Sequence, residues 1–217
     1  MLDGFVWYKQ SGYRWKGDDR TIYIDPWEVT GEPEPADAIF LTHAHFDHYS
    51  PDDSGKLRTP DTVIVAPRDI AAELTGNVQA VGPGDTFEAA GIKSEAVPAY
   101  NIVEDRLDNH PKANDWVGYL LDLGGVWHYH AGDTDALPEL EGIQAEVAFV
   151  PIGGGDFTMD PQEAAGLVKK IGPEVAVPMH YGFVVGPPSL AEGFRKAAAP
   201  VTVEILTPER EFEQTEG

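Results

Sequence analysis

The chain is patterned in short apolar runs separated by turn residues. Runs at 5–8, 21–24, 38–41, 63–66, 92–97, 116–123, 126–130, 147–150, 175–177 and 201–206 are rich in β-branched and aromatic side chains and predict strands. Gly12 and Gly17-Asp18-Asp19 supply turn chemistry between the first two, which predicts a hairpin. Gly124-Gly125 joins 116–123 to 126–130 as another pair. Three segments, 67–74, 161–171 and 190–198, read as helices. The second is the best marked: Asp160 can cap it, Pro161 occupies its first turn and Gly172-Pro173 closes it. Strands outnumber helices, and the helices separate groups of strands. That order predicts an α/β (α+β) arrangement of two sheets with helices outside, built by residues 1–217 as a single domain.

Composition removes several chemistries. The 217 residues include no cysteine, which excludes disulfides, thiolate metal sites and cysteine nucleophiles. Fifteen Lys+Arg stand against 37 Asp+Glu, a formal charge of −22. Nucleic acid and anionic membrane surfaces are therefore disfavoured partners, because both are gripped mainly through Lys and Arg. The acids are spread along the chain as a solubilising surface, similar to that of proteins from high-salt cytoplasms. The first residues carry an acid at position 3 and no apolar run of signal-peptide length, so a cytoplasmic protein is expected. Association into a homo-oligomer stays open.

One segment stands out chemically. His43-Ala44-His45-Phe46-Asp47-His48 follows an apolar run and packs three histidines and an aspartate into six residues. In an extended segment His43 and His45 share one face, while Asp47 and His48 turn toward another. That spacing suits two adjacent metal ions better than one. Imidazole and carboxylate donors favour Zn, Mn, Fe or Ni. Gly132-Asp133-Thr134, Met179-His180-Tyr181, Tyr100-Asn101 and Asn109-His110-Pro111-Lys112 also fall just past apolar runs. Each alone is a weak signal.

The order of these pieces resembles the metallo-β-lactamase fold superfamily, in its metal-dependent hydrolase branch that includes an ascorbate-phosphate lactonase. The resemblance runs from about position 7 to 206. It implies a four-layer αββα sandwich. It further implies His43 and His45 at a first metal, Asp47 and His48 at a second, Asp133 bridging and His180 completing the second. A third histidine for the first metal is missing from its usual place, which here reads Tyr100-Asn101. His110, His128 and His130 are the candidates, and His110 is favoured because a loop can return it to the vacated position. Asn101 is left as a weak oxygen ligand or a partner of the ligand.

The activity this implies is that of a metal-dependent hydrolase with two divalent ions, zinc foremost. A metal-bound hydroxide would attack a phosphoester, lactone or related ester, with Asp47 as the catalytic carboxylate. The alternatives are a non-catalytic metal- or ligand-binding module and a di-iron oxidoreductase. Lys112, beside His110, suggests a small anionic substrate. Gly153-Gly154-Gly155-Asp156 reads as a turn near the site, with Asp156 or Thr158 toward substrate.

Overall fold

The computed structural model describes residues 1–214. Among the described residues, thirteen strands form two sheets. In the first, β1 (Phe5–Lys9), β2 (Gly12–Gly17) and β3 (Arg20–Ile24) pair antiparallel, then β4 (Ala38–Phe40), β5 (Val63–Pro67) and β6 (Val78–Val81) extend the sheet in parallel. The second repeats the plan. Here β7 (Thr86–Ala89), β8 (Ile92–Pro98), β9 (Val117–Leu123) and β10 (Val126–His130) are antiparallel, and β11 (Val147–Pro151), β12 (Val175–Met179) and β13 (Thr202–Val203) follow in parallel.

Apolar faces explain the layering. Trp15, Ile22, Phe40 and Val65 of the first sheet bury against Ala96, Val117, Tyr119 and Leu121 of the second. The outer face of the first sheet buries Tyr23, Ile39 and Ile64 with Leu57 and Ile70, contributed by α1 (Pro51–Leu57) and α2 (Arg68–Glu73). The outer face of the second is closed by α3 (Pro161–Ile171) and α4 (Leu190–Ala198), through Leu167, Val168 and Phe194. Four layers, αββα, result, as expected for a mixed fold whose sheets each hide both faces.

The α3 expectation holds in detail. Asp160 accepts from the backbone N–H groups of Gln162 and Glu163, Glu163 returns the bond to the cap, and Gly172 ends the helix at φ 70°. Two sequence expectations need correction. The 5–8 and 21–24 strands are not one hairpin, because β2 lies between them. Tyr13 and Trp15 alternate inward with Arg14 and Lys16, and Asp18-Asp19 make the tight turn with φ 50° and 57°. The final strand is only Thr202–Val203, rather than 201–206. Past Glu204 the chain leaves the sheet and runs beside β1, where Glu209 N–H donates to Trp7 O at 2.8 Å. Past Pro208, Phe212 stays over a third exposed yet rests on Trp7, Tyr181 and Phe183. The tail's last three positions, 215–217, lie outside the described residues.

Candidate metal centre

Strand ends build the site. His43 to His48 follow β4, Asp133 follows β10 and His180 follows β12, so three rigid elements deliver ligand-type side chains to one edge of the sandwich. The sheets are joined there: Val117 N–H donates to Thr42 O at 3.2 Å, and Tyr119 Oη donates to Leu41 O at 2.7 Å.

All seven residues singled out as ligands converge. Three overlapping groups, His43/His45/His110, His43/His48/Asp133 and Asp47/His48/His180, each hold their donor atoms within 4.8 Å of one another. Asp133 is the hub. Its Oδ2 lies 2.9 Å from His180 Nε2 and 3.4 Å from His110 Nε2, and its Oδ1 lies 3.4 Å from His48 Nε2. Asp47 Oδ2 is 3.5 Å from His180 Nε2 and 3.8 Å from His48 Nε2.

The donor set fits cations rather than a closed hydrogen-bond network. His48 Nε2, His110 Nε2 and Asp133 Oδ1 are buried without a hydrogen-bond partner. Such orphaned groups are costly unless something occupies the space between them. The cluster is thus able to bind metal.

Charge inside the cluster is distributed by burial and proximity. Burial holds His43 well below its ordinary value, reinforced by His48. Burial lowers His45 as well, with His110 adding to it. At Asp133 burial works upward, but His180 and His48 outweigh it and hold the carboxyl well below the usual range. Asp47 likewise sits at about 2 because His48 and His180 overcome its burial. In return Asp133 lifts His180 to about 9, and Asp133 and Asp47 raise His48, both against burial. Without cations, protons on two imidazoles balance two carboxylates.

His110 groups with His43 and His45, and Asn101 contacts its far side. Asn101 Nδ2 donates to Asp135 Oδ1 at 3.2 Å and to Phe157 O at 3.0 Å, so its Oδ1 faces His110 Nδ1 at 2.8 Å. His128 and His130 are elsewhere engaged. His128 Nε2 lies 2.9 Å from Met1 O; His130 Nε2 lies 2.9 Å from Ser11 O, and its Nδ1 accepts from Gly132 N–H.

Several residues escaped the sequence reading. Asp25 is fully buried, 2.7 Å from His48 Nδ1, and accepts from Thr42 N–H and Oγ1. It directly follows β3, at φ 44°, and no ligand spacing in the sequence marks it. Gln10 Nε2 donates to Asp47 Oδ2 at 3.0 Å, and Gln10 O accepts from His180 N–H at 3.0 Å. Nothing in the sequence marks a glutamine in a β1–β2 turn for this. Trp116 packs at a tilt against His43 and edge-on against His45 and His110, with ring centroids 5.1, 5.1 and 5.9 Å away, and Asp69 accepts from its Nε1.

Lys112, Asp156 and Thr158 do not line the opening beside the cluster. Lys112 is turned away, bonded to Tyr100 Oη at 2.9 Å and Glu139 at 3.3 Å. In the glycine turn, Asn109 binds Asp156 O and Thr158 is buried; Phe157 between them lines the opening. That opening, about 160 Å³, has His45, Asp47, Asp133 and His180 as floor and Phe46, Asn109, Phe157, Val184 and Val185 as walls. A larger cavity of about 460 Å³ lies against β8, β9 and the 138–142 turn and touches none of these residues.

Residues 5–180 match the β-lactamase superfamily domain. The chain belongs to that superfamily. It is 33% identical to a UPF0173 metal-dependent hydrolase of Methanopyrus kandleri, over 96% of this chain and 99% of that one. It is 37% identical to a UPF0173 metal-dependent hydrolase of Thermococcus onnurineus, over 82% and 84%. A solved structure from Parabacteroides distasonis, assigned as a metal-dependent hydrolase, superposes with a TM-score of 0.85 at 29% identity, over 94% and 93%. The family's two-sheet, few-helix architecture is the one seen here. No helix among the described residues is long and apolar enough to cross a membrane.

Proposed function

We propose that this protein is a metal-dependent hydrolase with two adjacent divalent ions, acting on a small-molecule ester, lactone or phosphoester. The observation that carries this is the convergence of His43, His45, Asp47, His48, His110, Asp133 and His180 around three orphaned, buried donor atoms. His43, His45 and His110 would hold one ion, and Asp47, His48 and His180 the other, with Asp133 between them. Zinc suits this nitrogen-rich set, as do manganese, iron and nickel. Both sheets contribute ligands, which supports reading the chain as one domain.

When bound, such ions supply a hydroxide at neutral pH and polarise the scissile group. The chain's residues do the rest. Asp47 is the carboxylate positioned to orient the attacking oxygen and receive its proton, and Gln10 Nε2 fixes its rotamer at 3.0 Å. Asp25 fixes the ring of His48, and Asn101 fixes that of His110. No side-chain nucleophile is required.

Metal content of protein purified without chelator tests the reading, alongside His110→Ala. Close to two ions per chain, falling to about one in the variant, is the expected result. Turnover should vanish in His45→Ala and Asp133→Ala. One weakly held ion, unchanged by His110→Ala, would place a non-catalytic binding module ahead.

A further inference from the structure

The floor of the opening is charged, but its walls are not. Among the described residues that line it there is no lysine or arginine. The nearest basic residues in sequence are both committed elsewhere, Lys112 to Tyr100 and Glu139 and Arg106 to Asp135, Thr158 and Glu163. The walls are instead Phe46, Phe157, Val184 and Val185, with Asn109 as the one uncharged polar member. Phe46 is 65% exposed, Val184 37% and Phe157 36%. Exposed apolar residues are commonplace when scattered, but here they gather. Of the eight large apolar side chains exposed among the described residues, these three ring one opening, and Ile102, Val103 and Leu107 lie on the loop that carries Asn109 and His110.

The three wall segments are held in place from behind. Trp27 meets the Phe46 ring edge-on at 5.5 Å. The Phe157 backbone is tied by Asn101 Nδ2 at 3.0 Å. Gln214 Nε2 donates to Phe183 O at 2.6 Å, next to Val184. A collar that leaves apolar surface in water while fixed by its neighbours is suited to gain energy when a ligand covers it.

We infer that Phe46, Phe157 and Val184 form a specificity collar that selects substrates whose group beside the scissile bond is uncharged and apolar, of short acyl or aryl size. This rests on the hydrolase reading and narrows its substrate class. An anionic group is accommodated only where the ions themselves meet it. A charged group further out would lose hydration against apolar walls with no cation to receive it.

The test separates the collar from the chemistry. Alkyl hydroxamic acids share one metal-gripping head and differ only in the tail. Their affinities for the metal-loaded protein are read by calorimetry, with no turnover involved. From acetohydroxamate to hexanohydroxamate the affinity should rise about three- to fourfold per methylene covered. A tail of equal length ending in a carboxylate should bind at least about tenfold more weakly than the alkyl one. In Phe157→Ala and Val184→Ala the ratio of the two alkyl affinities should shrink toward one. Being a ratio within one sample, it is independent of how much protein is folded. Val184→Lys should turn the preference toward the carboxylate tail.

A flat series, a preference of the unmodified protein for the charged tail, or failure of every hydroxamate to bind would overturn the collar. The hydrolase reading is judged separately, with 4-nitrophenyl valerate against its near-isostere mono-4-nitrophenyl glutarate. Preferential cleavage of the neutral ester supports both ideas. Preferential cleavage of the anionic one keeps the hydrolase and sinks the collar. A graded hydroxamate series with no ester turnover keeps the collar and counts against the hydrolase.

Discussion

His110 presents Nδ1 to Asn101 Oδ1 at 2.8 Å, and that contact decides which ring nitrogen faces the cluster. Asn101 cannot be flipped without losing its bonds to Asp135 Oδ1 and Phe157 O. Its oxygen therefore accepts, His110 Nδ1 carries the hydrogen, and Nε2 keeps a lone pair for a metal. The support continues outward. Arg106 Nε meets Asp135 Oδ1 at 2.7 Å, and its other nitrogens bind Thr158 O and both oxygens of Glu163.

Asn101→Ala should weaken one ion of the proposed pair by about 10–100-fold, the usual cost of removing a ligand's hydrogen-bond partner. Competition with a chromogenic chelator measures it. An unchanged pair of affinities would refute the tautomer argument.

Asp25→Ala should be worse for the fold than for any single ligand. It strips the partner from buried Thr42 N–H and the shortest contact from Thr42 Oγ1 and His48 Nδ1, which keep only His43 Nδ1 at 3.0 Å and each other at 3.5 Å. Each buried group left unpaired costs about 1–3 kcal/mol. Denaturant midpoints should fall accordingly, and metal affinity with them; Asp25→Asn should recover part of the stability.

Gly153→Ala should destabilise the centre although position 153 supplies no ligand-type atom. A Cβ there would meet the carbonyl of His180 and the side chain of Val185. His180 already sits at φ 57°, a left-handed conformation held by its N–H bond to Gln10 O, and has little freedom to retreat. Metal content and melting temperature should both drop; an unaltered protein would show that the loop relaxes cheaply.

The metal-free protein should lose stability as the solution turns alkaline. His180 titrates near 9 when folded against an ordinary 6.5, and His48 is shifted the same way. A raised folded value means the contribution is full below about 6.5 and is lost as pH rises through about 9. Metal binding runs the other way, since it displaces those protons and so tightens as pH rises. Melting curves from pH 6 to 9.5, with and without chelator, should diverge steadily. Parallel curves would contradict the proton balance drawn for the cluster.

The chain by itself determined much of this protein. Period-two runs, Asp160 and Gly172 placed most strands and α3, because those signals act within a few residues. The segment from His43 to His48 announced metal chemistry, because its ligands are local. Tertiary structure decided the rest. His110 was only the favoured of three candidates, and it is the fold of the loop after β8 that sets it beside Asp133. Asp25 and Gln10 became partners of His48 and Asp47 through turns whose positive φ values no local pattern specifies. Lys112 read as a substrate cation from its neighbour in sequence, yet Glu139 and Tyr100 claimed it from across the fold. The opening is assembled from five loops between 45 and 185, three of which supply its apolar walls. A pocket wall built from segments so far apart in the chain exists only once the sheets that carry them have packed.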